Sequence, residues 1–355
     1  MSAREISESI VRDPIGNYPR ATVACFDPTT GDLPRRRLDE PRTIAFLEKL
    51  ALAGAPAMLI AASTGHGHLR TPAELEAWFR IAARAQLGQT IRTALLRPED
   101  GDDANARLVV LLADLGYPVV FVRPGTNLPK NACDAEIVAN MRPIVRLAAE
   151  CGLAVGLYSI PDVSGVPLSC NAAADLVAGP GGERIVAIKV TEPGYESSTL
   201  RYLNDPRLCR LKIVQGWDTY LARALRDGPQ YDKCFRQRCG VTSGPMSFAI
   251  HQYLYILSAA ERSDWEDVAV AQMAVTALFR AMQDDPGKFA DLQRAKYIMG
   301  LGQPLLGTIS PEQIDRLLSA LEAIPHLEDR TRLTRSLDLM GDGPYHDRLR
   351  AIAEA

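Results

Sequence analysis

The stretch Ile185-Val186-Ala187-Ile188-Lys189-Val190 is apolar and rich in β-branched residues apart from one lysine. This pattern predicts a fully buried strand. Lysine is seldom buried, because its ammonium group loses hydration in the interior. The chain also uses it sparingly, with seven lysines against thirty-three arginines. Desolvation at the end of a core strand lowers the pKa of a lysine and frees its amine as a nucleophile toward carbonyls. The alternative is an edge-strand lysine whose stem reaches water.

Similar apolar runs alternate with amphipathic segments of helical period up to residue 245. Short buried strands separated by helices imply parallel pairing through βαβ units. Eight strands within about 225 residues fit a closed (β/α)8 barrel. The rival, a doubly wound open sheet, lacks its glycine-rich fingerprint after the first strand. The predicted strands are Ala21–Cys25, Ala57–Ser63, Thr90–Leu96, Pro118–Val122, Leu153–Ile160, Ile185–Val190, Leu211–Val214 and Gly240–Thr242.

The predicted fold is therefore an α/β protein, a (β/α)8 TIM barrel with a C-terminal helical extension. Residues 1–18 are polar and are expected to form an N-terminal arm. Residues 19–260 form the barrel, and 261–355 a helical region packed on it. The pattern in the C-terminal part predicts helices at Phe248–Ala260, Asp264–Met282, Phe289–Met299 and Pro311–Ala323.

The composition excludes several classes of function. A net charge of −3 and a pI near 6.0 argue against a nucleic-acid partner. No secretory signal and no apolar run of transmembrane length are visible in the sequence. The seven cysteines are scattered without zinc-ligand spacing, as is typical of reduced thiols. These features predict a soluble, cytoplasmic protein that contacts neither nucleic acid nor a membrane.

Chemistry in such a barrel belongs at the C-terminal ends of the strands. There the sequence places Ser63-Thr64-Gly65-His66 after the second strand, Tyr158 on the fifth and Lys189 on the sixth. The fifth and sixth strands are neighbours in such a barrel. An amine beside a phenol, with a hydroxyl from the second strand, suits imine chemistry on a 2-oxo acid. The amine attacks the keto carbon while the phenol shuttles protons.

At these positions the sequence resembles the dihydrodipicolinate synthase/N-acetylneuraminate lyase family of class I aldolases. The family's [ST]-T-G-E motif corresponds to Ser63-Thr64-Gly65-His66, and its Y-N-x-P-x-x-[ST]-G segment to residues 158–165. Its Schiff-base lysine segment corresponds to residues 186–191. The motifs stand in the family's order and spacing, over roughly residues 20 to 310.

The resemblance implies roles for individual residues. Lys189 would form an imine with pyruvate or a larger 2-oxo acid, Tyr158 would shuttle protons, and Ser63 would hydrogen-bond the phenol or relay its proton. The Ser63-Thr64-Gly65 turn would hold the substrate carboxylate, since such turns suit anions. In the lyase branch of the family, the positions that contact the substrate's hydroxylated tail correspond to Thr191, Gly216, Asp218 and Ser243.

Departures from the family pattern bear on the substrate. The synthases grip a second carboxylate with an arginine where this chain has Val163, and residues 122–127 lack the tyrosine that the synthases carry there. Dihydrodipicolinate synthase activity is therefore not expected.

His66 replaces the family's glutamate and forms a His-x-His pair with His68. The pair could ligate a metal or serve as an acid/base group, but nothing is placed to complete a metal site. The expected effect is on the loop's hydrogen bonds or on the mouth of the pocket, with no metal and no cofactor.

Three functions remain open at the level of sequence. The first is a class I lyase or aldolase that cleaves a C–C bond reversibly through a lysine imine and its enamine. The second is a 2-keto-3-deoxy sugar-acid dehydratase that uses the same imine. The third is a barrel that binds a metabolite without turning it over. The resemblance also implies a homo-oligomer, either a dimer or a tetramer.

Overall fold

The computed structural model describes residues 1–30, 37–282, 295–296, 298–302 and 310–348. Eight parallel strands close into a barrel, because the first strand pairs with both the second and the eighth. This confirms the (β/α)8 prediction and each of the eight predicted strands. The strands are β1 (Ala21–Ala24), β2 (Ala57–Ile60), β3 (Ile91–Leu96), β4 (Val119–Val122), β5 (Ala154–Ser159), β6 (Ile185–Val190), β7 (Lys212–Gln215) and β8 (Cys239–Ser243).

Helices follow the strands and cover the outside of the barrel. Apolar strand residues such as Val120, Ile188 and Ile213 pack outward against them in one large buried cluster. The helices up to the eighth strand are α1 (Ala3–Arg12), α2 (Glu40–Leu52), α3 (Pro72–Ala83), α4 (Asp102–Asp114), α5 (Asp134–Glu150), α6 (Cys170–Ala178), α7 (Thr199–Asn204) and α8 (Leu221–Asp227). One-turn helices at Pro14–Asn17 and Pro161–Ser164, and a short pairing of Thr29–Thr30 with Arg37–Leu38, complete this part.

The inside of the barrel holds a second buried cluster that includes Leu59, Leu95, Phe121 and Val214. Phe121 fits there because residue 156 on the neighbouring strand is glycine. A Cβ atom at Gly156 would lie 2.3 Å from the Phe121 ring. The barrel is thus filled by side chains rather than open as a pore.

Helix α1 closes the N-terminal end of the barrel. It begins with a capping box at Ser2, and Ile10 on its apolar side packs into the inner cluster. The Ser7 hydroxyl donates to the Gly152 carbonyl oxygen at 2.9 Å, and Arg184 forms an ion pair with Glu8. The ring of Tyr18 meets the Phe121 ring edge-on, with the two centroids 6.5 Å apart. These contacts leave the C-terminal end of the barrel for a site.

Several helices in the described part of the chain follow β8, and four of them are longer than ten residues. They are α9 (Ile250–Glu261), α10 (Trp265–Met282), α11 (Pro311–Glu322) and α12 (Leu327–Leu337). Most of the helix predicted at Phe289–Met299 lies outside the described residues. Lys296, which is described, forms a buried ion pair with Asp27 just after β1, with its Nζ 2.9 Å from Oδ1. This pair ties the C-terminal region to the rim of the barrel.

No helix in the described ranges is long and apolar enough to cross a membrane.

Candidate active site

Lys189 and Tyr158 lie side by side at the C-terminal ends of β6 and β5. The two residues are direct partners in the register of this strand pair. The Lys189 Nζ lies 4.1 Å from the centroid of the Tyr158 ring, and both side chains are buried. Burial lowers the pKa of Lys189 from 10.5 to about 7, and Asp218 opposes this shift. A substantial fraction of the amine is therefore neutral near pH 7, which is the form that attacks carbonyls.

The phenol of Tyr158 stays protonated over the same pH range. Burial raises its pKa above the ordinary value of 10, and the nearby Thr191 hydroxyl opposes part of the shift. A protonated phenol beside a partly neutral amine can donate a proton to a substrate oxygen and recover it later.

The Ser63-Thr64-Gly65 turn follows β2 and is fixed by packing against β1. A Cβ atom at Gly65 would lie 2.5 Å from the Cys25 carbonyl oxygen and 2.6 Å from Cη2 of Trp78. The Gly65 N–H donates to the Ala62 carbonyl oxygen, so it is already used within the turn. The hydroxyl of Ser63 is buried and has no hydrogen-bond partner among the described residues. Ser63 therefore offers a polar group to a ligand.

A cavity of about 270 Å³ lies above the lysine. Seven of the predicted site residues line it, namely Ser63, Thr64, Tyr158, Lys189, Thr191, Gly216 and Asp218. Gly65 and Ser243 are not among its lining residues. Gly65 packs behind the turn, and Ser243 is fully buried with its hydroxyl bonded to Asp218.

Gly216 leaves space beside the end of the Lys189 side chain. A Cβ atom there would lie 2.2 Å from Oγ1 of Thr191 and 3.1 Å from Cε of Lys189. Any larger side chain would displace one of these two groups. The glycine thus shapes the cavity through its lack of a side chain.

Asp218 is half-buried, and its carboxyl group forms part of the cavity wall. Its Oδ1 accepts hydrogen bonds from the Ser243 and Tyr253 hydroxyls. Burial raises the pKa of Asp218, while the two hydroxyls and the Lys189 charge oppose that rise. The arrangement places a carboxyl group opposite the lysine.

Other residues of the cavity were missed by sequence reasoning. Thr242 on β8 lines it, and its hydroxyl has no partner in the described part of the chain. Alternation along β8 could have found it, because Thr242 and Ser243 must point to opposite faces. Helix α10 contributes Thr276, Phe279 and Arg280 at the mouth. Their i, i+3, i+4 spacing is that of any helix face, so the sequence carried no signal for them.

His66 lies behind the turn rather than in the cavity. It has a left-handed backbone with φ of 52° and is fully buried. Burial lowers the pKa of His66 to about 4 and that of His68 to about 3. Both rings are therefore neutral near pH 7, with centroids 5.9 Å apart. Within the described ranges, no group of three His, Cys, Asp or Glu side chains is placed to hold a metal ion.

The geometry defines a class of protein, a (β/α)8 barrel with a lysine enclosed in a cavity at the C-terminal ends of its strands. No family model and no curated protein matches the sequence.

Solved structures do match the fold. A variant of the 2-keto-3-deoxygluconate aldolase of Sulfolobus solfataricus has a TM-score of 0.70 at 17% identity, covering 86% of this chain and 96% of that one. Dihydrodipicolinate synthase of Bacillus anthracis also has a TM-score of 0.70 at 17% identity, covering 87% and 99%. YagE of E. coli K12 was solved in complex with pyruvate and is described as a member of the dihydrodipicolinic acid synthase family. It has a TM-score of 0.70 at 16% identity, covering 86% of this chain and 98% of YagE. The chain thus shares the fold of structures in the family that its motifs resemble.

Proposed function

We propose that this chain is a Schiff-base-forming lyase or aldolase that acts on pyruvate or a larger 2-oxo acid. The observation that carries the proposal is the Lys189–Tyr158 pair, buried side by side in one cavity. The unpartnered hydroxyls of Ser63 and Thr242 add polar groups for a substrate, since buried polar groups normally find partners. The pyruvate complex of YagE is a further support, because its fold matches over most of both chains.

In the proposed reaction the neutral Lys189 amine adds to the keto carbon. The hydroxide that leaves the resulting carbinolamine takes the phenol proton of Tyr158 and departs as water. This leaves a protonated imine and a phenolate. The phenolate then takes the proton of the substrate's 4-hydroxyl. As that proton leaves, the electrons of the C3–C4 bond move into the imine to form an enamine, and an aldehyde is released.

A non-catalytic binding barrel would need none of these features. A cavity that only holds a metabolite gains nothing from an amine whose pKa is lowered to about 7 by burial, because desolvating it costs stability. Both cleavage and loss of water can start from the same imine. The two reactions differ in which substrate bond breaks to supply the electrons of the enamine. They therefore give different products, and product analysis distinguishes them.

The test is reductive trapping. Incubation with pyruvate and borohydride should add one reduced pyruvate unit to the peptide that contains Lys189, detected by mass spectrometry. Lys212 is an internal control, because it is also buried but lies outside the cavity. If neither pyruvate nor any related 2-oxo acid is trapped on Lys189, the proposal is wrong. Incubating the protein with pyruvate and a panel of aldehydes, or with 2-keto-3-deoxy sugar acids, then distinguishes aldol chemistry from dehydration.

A further inference from the structure

Tyr253 lies on α9, outside the cavity lining, and is completely buried. Its hydroxyl donates to Oδ1 of Asp218 and lies 2.8 Å from Oγ of Ser243. Asp218 in turn lines the cavity that contains Lys189. A fully buried phenol that contacts the cavity wall from behind has no role in the reaction described above.

The cluster fixes the orientation of the Asp218 carboxyl. Two hydroxyls converge on Oδ1, and the Met246 N–H holds the Ser243 oxygen from the other side at 3.2 Å. Hydroxyl donors stabilise the ionised form of a carboxyl group, and here they counteract its desolvation.

Asp218 is also the carboxyl group whose charge acts on Lys189. Desolvation lowers the pKa of Lys189, and Asp218 opposes that shift. Among the described residues that line the cavity, the other titratable or charged groups are the Tyr158 phenol and, at the exposed mouth, Asp162 and Arg280. Charges at the mouth are screened by water, whereas the pair inside is screened much less.

We propose that Tyr253 is a positioning residue for the reaction assigned above, on which this inference rests. It holds Asp218 as an ionised carboxylate and, through Asp218, sets how readily Lys189 loses its proton. The same carboxylate stabilises the positive charge of the protonated imine, which must form on the lysine nitrogen. Tyr253 itself contacts neither the substrate nor the amine.

The experiment measures the rate of pyruvate trapping by cyanoborohydride against pH in a range that brackets 7. In the Tyr253→Phe variant, the carboxyl loses a donor, becomes neutral more easily and withdraws its charge from the lysine. The midpoint of the rise in rate should then move to lower pH, by about 1 unit. Asp218→Asn should move it at least as far, and Tyr253→Phe in that background should add nothing. Ser243→Ala removes the second donor and should shift the midpoint in the same direction, which provides a second variant if Tyr253→Phe does not fold.

Tyr117→Phe is the matched control. Its hydroxyl donates to the Phe79 carbonyl oxygen at 3.0 Å, and its ring packs in the outer cluster. Removing it should leave the midpoint unchanged. The inference is overturned if Tyr253→Phe and Ser243→Ala keep the original midpoint, or if the Tyr253→Phe shift persists in Asp218→Asn. Absence of any adduct on the unmodified chain would instead overturn the proposed function.

Discussion

Two lysines, Lys189 and Lys212, are buried on the neighbouring strands β6 and β7 at opposite ends of the barrel. Burial lowers the pKa of both, to about 7 for Lys189 and about 8 for Lys212. Their surroundings differ. Lys212 donates to the carbonyl oxygens of Ile15 and Gln237, so its ammonium stabilises the fold. Lys189 faces a cavity, a phenol and a carboxyl group. We therefore expect a buried lysine with a lowered pKa to react only where a cavity and an acid/base partner accompany it.

The largest expected effect concerns the two lysines themselves. Lys189→Met should abolish pyruvate trapping and turnover, because no other amine lines the cavity in the described part of the chain. Lys212→Met should retain the adduct while lowering the thermal stability, since two carbonyl oxygens lose their donor. Mass spectrometry and thermal melts measure the two outcomes. An adduct that persists in Lys189→Met would contradict the assignment of different roles to Lys189 and Lys212.

Tyr158→Phe should reduce turnover by a factor of about 10²–10⁴, the usual contribution of a general acid/base group. Steady-state kinetics with the best 2-oxo acid substrate measures it. The control is Tyr18→Phe, which removes a buried phenol at the other end of the barrel, where the Tyr18 ring packs on Phe121. That variant should keep its turnover. Equal losses in both variants would mean that the phenols act through packing.

The sequence predicts the part of the site that depends on strand order. Short apolar runs indicate all eight strands, and consecutive strands must be neighbours, so the sequence alone predicts the pairing of Tyr158 with Lys189. It was harder to predict which of two adjacent strand residues faces the cavity. Ser243 was expected to contact substrate, yet it lies behind Asp218, and Thr242 lines the cavity instead.

Long-range packing was beyond sequence reasoning. The polar composition of residues 1–18 indicates an arm but not where it packs. Its place depends on the match between one apolar helix face and the open end of the barrel. The contribution of α10 to the cavity mouth likewise depends on how this helix packs against the barrel, which no local sequence pattern predicts.

Ile10→Ala tests the closure of the N-terminal end. It removes a side chain that is 1% exposed and packs in the inner cluster. We expect a loss of about 2–5 kcal/mol in the free energy of unfolding, as for other large-to-small core changes. Urea denaturation measures this loss, and pyruvate trapping on the folded variant should be unchanged. A stability equal to that of the original chain would show that the arm does not close the barrel in solution.

The smallest expected effect is a change in the pH dependence of stability. The folded-state pKa of Lys212 is about 8 against 10.5 for an unperturbed lysine. Between these two values the unfolded chain binds more protons than the folded one, so stability should rise with pH across this window. Lys212→Met removes that contribution and should flatten the slope by at most about 1.4 kcal/mol per pH unit. Urea denaturation at a series of pH values measures this change in slope.

Lys189→Met should flatten the slope as well, starting nearer pH 7, because the folded-state pKa of Lys189 is lower. If both variants retain the original slope, burial does not lower the pKa of either lysine. The comparison of Lys189 with Lys212 would then lose its premise, which is that both have a lowered pKa.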